Sequence, residues 1–255
     1  MAAVQSIVTP QAPIRRAPHP TASLDTEALY GETVTIDQFE NEFAHVVLAT
    51  DGYKGWMPSA CLGAMPDVTH QVIVPHSFVT AGADVKSAGI SHLSLGVRLH
   101  LYPRQDDDDK CPFVEIEFNG ANGFVPRSHI SPLPAVCDDW VAVAESLIGS
   151  PYRWGGRSST GLDCSALVQL SMAAAGMAVP RDSGPQHDIG QALDETETLQ
   201  RGDLVFWAGH VGIMQDADRL LHANAYHMAV ASEPLFVATQ RIAATAGPVT
   251  ARRRP

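Results

Sequence analysis

The chain has 255 residues, 45% of them hydrophobic and 18% charged, with a formal net charge of −11 and a pI near 5.3. That size and apolar content can fill one large core or two to three small ones. The acidic balance disfavours a partner held through phosphate contacts, so nucleic acid is set aside. No window reaches the roughly 18 to 20 consecutive apolar residues that cross a bilayer, so no membrane span is expected.

The first residues, "MAAVQSIVTPQAPIRRAPHP", lack a basic region followed by an apolar one. Their Pro, Ala and Arg content predicts a flexible lead-in over residues 1–23, and a cytoplasmic location is the expectation. Cys61, Cys111, Cys137 and Cys164 are too few and too scattered for a disulfide framework, and no pair has C-x-x-C spacing. Reduced thiols are expected, with no metal and no cofactor. The acidic run "QDDDDK", residues 105–110, reads as a solvated hairpin loop between strands.

The first half contains a repeat. "VVLATDGYKGWMPSACL" (46–62) laid without gaps on "VEIEFNGANGFVPRSHI" (114–130) matches Val46 with Val114, Gly52 with Gly120, Gly55 with Gly123 and Pro58 with Pro126. Each copy reads as a strand, a glycine turn, a second strand carrying an aromatic, and a proline that ends the ladder. Alternating stretches after Gly31 and Gly96 add a strand upstream of each copy. Units with four or five short strands suit small barrels. The "GW-x-P" and "GF-x-P" endings resemble bacterial SH3-like domains, implying a first barrel over residues 24–68 and a second over 72–133. Trp56, Tyr53 and Phe124 read either as barrel packing or as an aromatic wall for a ligand, with Trp56 the best placed for the second role.

In the second half, "PAVCDDWVAVAESLIGSPY" predicts a helix that starts at Asp138 or Asp139, with Gly149 and Pro151 as stops. Next, "WGGRSSTGLDCSALVQLSMAAAG" places glycines before Asp163, a natural N-cap, and puts Cys164 on the first turn of a helix ending at Gly176. A helix start favours a thiolate over a thiol, so a lowered pKa is expected at Cys164, and its free N–H groups could bind an oxyanion. Downstream, "HVGIM" and "LLHAN" predict a hairpin centred near Ala217, in which Gly212 faces His222 and His210 faces Asn224. These four positions share one parity, so His210 and His222 project from one face, and glycine at 212 is expected to leave room between them. A thiolate, an imidazole to move its proton and a third group to orient that imidazole make a nucleophilic machine in the chain order Cys164, His210, His222.

"PYRWGG", "GLDCSALV", "RGDLVFW", "GHVGIM" and "LLHAN" together resemble the NlpC-type cell-wall cysteine peptidases over residues 136–255. The resemblance implies a multidomain chain in which two small all-β SH3-like barrels precede an α+β papain-like domain, with Cys164 as nucleophile, His210 as base and His222 as orienting residue. It implies hydrolysis of the γ-D-glutamyl to diamino acid bond of peptidoglycan stem peptides. With SH3-like barrels in front, the chain is similar to the dipeptidyl-peptidase type, which releases L-Ala-γ-D-Glu from peptides with a free N-terminal L-Ala. Tyr152, Asp163, Ser165 and Ser183 then match the places of pocket residues, and a carboxylate from the first barrel is expected, with Glu27 and Glu32 as candidates. Ala166 stands where the family pattern has glycine. Two other readings compete: barrels that tether the chain to intact peptidoglycan with weak or endopeptidase activity, and a zinc site made from Cys164, His210 and His222.

Overall fold

The computed structural model describes residues 3–102 and 111–255, so the loop expected at "QDDDDK" lies outside the described residues. The chain divides into two compact units, Met1–Ala135 and Val136–Pro255.

In the first unit the repeat is visible element by element. Strands Phe43–Leu48 and Lys54–Pro58 lead into a 3-10 turn, Ser59–Cys61, and the short strand Leu62–Gly63. Strands Phe113–Phe118 and Ala121–Pro126 lead in the same way into Arg127–His129 and Ile130–Pro132. In both copies a proline with φ near −60° precedes the 3-10 turn, Pro58 at −57° and Pro126 at −59°. The copies differ in the loop between their strands. Asn119 and Gly120 both take positive φ, 54° and 76°, giving a two-residue hairpin turn, whereas the first copy needs five residues, 49–53, to make the same reversal.

The first copy belongs to a seven-stranded sheet whose neighbours run Leu24–Leu29, Gln11–Arg15, Lys54–Pro58, Phe43–Leu48, Thr33–Glu40, Ala3–Ile7 and Leu62–Gly63. The flexible lead-in expected over residues 1–23 is therefore corrected: Ala3–Ile7 pairs with Thr33–Glu40, and Gln11–Arg15 pairs with Leu24–Leu29. The physical reason is a period-2 pattern hidden by a Pro- and Ala-rich composition. Ile7, Ala12 and Ile14 are fully buried in a core with Val34, Val46, Leu48 and Met57, while Gln11, Pro13 and Arg15 point the other way and are half-buried. The first β body thus begins at Ala3, not at residue 24. The second copy is divided between a four-stranded sheet containing Ala121–Pro126 and a three-stranded one containing Ile130–Pro132.

The second unit is built on a six-stranded antiparallel sheet in the order Gln191–Ala192, Ala251–Arg254, Leu204–Trp207, His210–Met214, Arg219–Asn224, Ala229–Pro234. Its helices are α1 (Trp140–Ser146), α2 (Cys164–Ala174), α3 (Ser183–Gln186) and α4 (Leu235–Ala246). Asp139 caps α1 by accepting from the N–H groups of Val141 and Ala142. Every residue of α2 from Cys164 to Met172 is buried, because α1 covers one side and the strands His210–Met214 and Arg219–Asn224 the other. A helix buried on every side lies in the middle of its domain, with Ser165, Gln169 and Ser171 buried beside its apolar residues, so the cysteine at its start is held on a central element. Among the described residues no helix is long and apolar enough to cross a membrane.

Candidate active site

The approach to Cys164 is a miniature hairpin, Arg157–Ser158 against Gly161–Leu162. Its glycines serve packing: a Cβ on Gly156 would lie 2.2 Å from the carbonyl oxygen of Gly161, so no other residue fits there. The turn delivers Asp163 to the helix start with extended backbone, and its Oδ1 accepts from the Ala166 N–H at 2.9 Å. Arg181, only 1% exposed at its side chain, forks onto the same carboxylate, Nη1 to Oδ1 at 2.9 Å and Nη2 to Oδ2 at 2.8 Å. The Gly155 N–H and the Ser165 hydroxyl donate to it as well. The resemblance implies a pocket place for Asp163; both of its oxygens are already bonded within the unit, so an incoming substrate ammonium would compete with Arg181.

Cys164 is 7% exposed. Burial pushes its thiol up to about 12, and the Asp163 charge adds to that; hydrogen bonds from the Val211 and Ser165 N–H groups and the Arg181 charge pull the other way without prevailing. The lowered pKa expected from the helix start is thus corrected: the resting side chain is a neutral thiol, because desolvation of a buried thiolate outweighs the helix terminus. The bond from Val211 also seats the sulfur against the strand that carries His210.

The hairpin has the predicted register. Ile213 pairs with Leu221 and Met214 with Leu220, which puts Gly212 opposite His222 and His210 opposite Asn224. His210 Nε2 and His222 Nδ1 lie 2.8 Å apart. A Cβ on Gly212 would meet Leu220 Cδ1 at 2.6 Å, so the glycine makes room for a buried leucine.

Behind His222 lies a group that the sequence reading missed. His222, fully buried, places Nε2 2.7 Å from Glu233 Oε1, and Arg241 clamps Glu233 with Nη2 to Oε1 at 2.6 Å and Nη1 to Oε2 at 2.7 Å. Burial alone would raise the Glu233 carboxyl, but the bonds from Arg241 and His222 outweigh it and hold it at about 2. Desolvation, with the neighbouring imidazole and Arg241 adding to it, lowers His210 to about 3. Desolvation likewise lowers His222 to about 4 against the opposing pull of Glu233. At neutral pH the line from His210 to Glu233 therefore holds two neutral rings and one carboxylate. Parity could have found Glu233, since Leu220 pairs with Glu233 and His222 with Ala231, which puts His222 and Glu233 diagonally on one face.

Tyr152 is half-buried and bridges to Leu162. Burial first, then its nearness to the titratable Cys164 and to the Asp163 carboxylate, pushes its phenol up to about 12, so it stays a donor. Ser165 donates to Asp163 and accepts from Arg181. Ser183 opens α3, whose Gln186 donates to the Ser165 carbonyl at 2.9 Å and so ties that turn to the cysteine helix. Ala166 is fully buried within α2. Cys164, His210, His222, Tyr152, Asp163, Ser165 and Ser183 all belong to the second unit, while Trp56 and Glu32 belong to the first. There Trp56 is half-buried with its ring edge-on to His45 at 5.1 Å. Glu32 is 2% exposed and accepts from the Leu29 N–H at 2.8 Å and the Thr50 hydroxyl at 2.6 Å; Glu27 is equally buried.

His222, His227 and Glu233 form the one trio of metal-type donors among the described residues, their ligand atoms within 4.8 Å of one another. The Arg241 fork on Glu233 sets a fixed cation beside that trio, which opposes a second positive charge there.

Residues 149–240 match the NlpC/P60 family, and residues 14–62 match the bacterial dipeptidyl-peptidase SH3 domain. Gamma-D-glutamyl-L-lysine dipeptidyl-peptidase of Bacillus cereus (strain ATCC 10987) is 30% identical over 206 residues, which span 74% of this chain and 61% of that protein. The protein of the same description from Bacillus subtilis (strain 168) is 27% identical over 220 residues, 78% of this chain and 72% of that one. A crystal structure of an NlpC/P60 family protein from Bacillus cereus ATCC 10987 superposes with a TM-score of 0.82 at 22% identity, covering 99% of both chains, and shows the same fold.

Proposed function

We propose that this chain, a member of the NlpC/P60 family that also carries a bacterial dipeptidyl-peptidase SH3 domain, is a cysteine peptidase of peptidoglycan stem peptides. The bond it cuts joins γ-D-glutamate to the diamino acid, and the product is L-Ala-γ-D-Glu from muropeptides with a free N-terminal L-Ala. The observation that carries this reading is the thiol of Cys164 seated against the His210 strand, with His222 bonded to the second histidine nitrogen at 2.8 Å. The names of the two Bacillus relatives support the bond. In this reading the catalytic unit is papain-like, residues 72–133 are a second SH3-like barrel, and the enzyme works in the cytoplasm, which cell fractionation tests.

The chemistry follows from the protonation states. His210 Nε2 is engaged by His222, so Nδ1 is the nitrogen that takes the proton of the Cys164 thiol as sulfur attacks the scissile carbonyl carbon. Forming thiolate and imidazolium together avoids the cost of either buried charge alone. The Tyr152 phenol, held protonated, donates to the oxyanion. His210 then returns the proton to the leaving amine of the diamino acid, and water, deprotonated by the same imidazole, cleaves the thioester.

The test is hydrolysis of L-Ala-γ-D-Glu-diaminopimelate, its L-Lys counterpart and an N-acetylated version of each, by the full chain and by Cys164→Ala. The reading expects cleavage of at least one free-amine peptide, loss of turnover in Cys164→Ala with unchanged folding, and at least about tenfold slower cleavage after N-acetylation. Equal rates on capped and free peptides would refute the dipeptidyl specificity. Turnover that survives Cys164→Ala would refute the peptidase mechanism.

A further inference from the structure

We infer that Glu233, clamped by Arg241, is the positioning carboxylate of this site: it fixes the tautomers of His222 and His210 and so leaves a lone pair on the histidine nitrogen that serves the thiol. The kinetic side of this inference rests on the peptidase reading; the tautomers do not.

Protons can be counted along the line from Glu233 to His210. An ionised carboxylate only accepts, so the 2.7 Å contact between Glu233 Oε1 and His222 Nε2 requires the hydrogen on Nε2. His222 is neutral, which leaves a lone pair on Nδ1. The 2.8 Å contact to His210 Nε2 then requires the second ring to donate from Nε2, and its own lone pair falls on Nδ1. One fixed charge thus propagates through two rings. Without it His222 can carry its hydrogen on Nδ1, forcing the His210 hydrogen onto Nδ1, where it blocks proton transfer from sulfur.

The structure holds Glu233 to this task with care for position. Glu233 lies near the end of the strand Ala229–Pro234, and opposite His222 that strand carries the small Ala231, over which the carboxylate reaches diagonally. Arg241, one face of its guanidinium 4.3 Å from the centre of the Tyr226 ring, satisfies both carboxylate oxygens. The fork prevents rotation of the carboxyl group and balances its charge, so the carboxylate orients His222 without capturing its proton.

The experiment has two arms. Nitrogen-15 NMR of histidine-labelled wild-type protein at neutral pH should show both rings with hydrogen on Nε2. Glu233→Gln, close to isosteric but uncharged, should give a tautomer mixture at His222 and His210. Its kcat on the best stem peptide should fall about tenfold or more with KM within about twofold, because the residue touches no substrate. Arg241→Lys, which keeps the charge and loses the fork, should fall between wild type and Glu233→Gln. Hydrogen on Nδ1 of either ring in wild type overturns the inference even if no variant folds, as does Glu233→Gln with wild-type tautomers or wild-type kcat. Correct tautomers in a protein that cleaves no stem peptide would uphold the inference and defeat the peptidase reading instead.

Discussion

Replacing Arg181 with methionine removes the cation from a deeply enclosed ion pair of the second unit while keeping most of the side-chain volume. Arg181 is 1% exposed and Asp163 10% at the side chain, so water cannot take over as the partner. Arg181 gives up two bonds to the carboxylate, one to the Ser165 hydroxyl at 2.9 Å and one to the Gly156 carbonyl at 3.2 Å. Breaking a buried pair from one side costs about 3–5 kcal/mol. The lower end applies, because the Gly155 N–H, the Ala166 N–H and the Ser165 hydroxyl still donate to Asp163. A loss of about 3 kcal/mol should lower Tm by about 10 °C. Urea unfolding monitored by circular dichroism measures the first quantity and calorimetry the second. Arg181→Lys should recover less than half, since a point charge cannot fork onto two oxygens. A methionine variant within about 1 kcal/mol of wild type would refute the view that this pair braces the cysteine helix.

Acidification gives a second check. The folded-state pKa values of His210 and His222 are lowered, to about 3 and about 4, so between those values and about 6.5 the unfolded chain binds protons that the folded one does not. Stability should therefore fall as pH drops from about 6.5 to 4. Glu233, lowered to about 2, continues the loss below about 4.5. A Tm that stays flat from pH 7 to 4 would contradict burial as neutral rings. Gly212→Ala should destabilise by about 1–3 kcal/mol through overpacking against Leu220, and combining it with Leu220→Ala should cost less than the sum of the two, in a denaturant double-mutant cycle. Tyr152→Phe should reduce kcat by about tenfold or more if its phenol supports the oxyanion, with folding and KM little changed.

Much of the architecture was written in short-range pattern. Asp139 and Asp163 cap the helices they precede, and a turn centred at Ala217 sufficed to place His210 and His222 on one face, because strand parity leaves few registers open. The errors arose where composition hides geometry. Proline and alanine made residues 1–23 look unstructured, although Ile7, Ala12 and Ile14 fill a core. The space that Gly212 leaves is claimed diagonally by Leu220, a neighbour that pairing across the ladder does not display. Glu233 is reachable by strand parity only once "AVASEP" is recognised as a strand, which its weak apolar alternation hides, and Arg241 is not legible at all because the fork depends on how α4 docks on the strand before it.

The thiol shows why local and tertiary effects have to be weighed by size. A helix start favours a nearby negative charge by about 0.3–1 kcal/mol, and by about 2 in partly buried settings. The opposing effect at Cys164, a thiol raised from 9.0 to about 12, corresponds to about 4 kcal/mol. Burial wins, so the helix terminus cannot by itself hold a resting thiolate. It contributes once the proton has moved to His210, when the new anion lies at a helix start and at the Val211 N–H, and the new cation sits two bonds from Glu233. The arrangement therefore lowers the energy of the charge-separated state more than that of the resting one, which is the direction that speeds attack on a carbonyl. It follows that alkylation of Cys164 by iodoacetamide should be slow at pH 7 and rise steeply with pH; a rate already maximal at pH 7 would show that the ion pair forms before any substrate arrives.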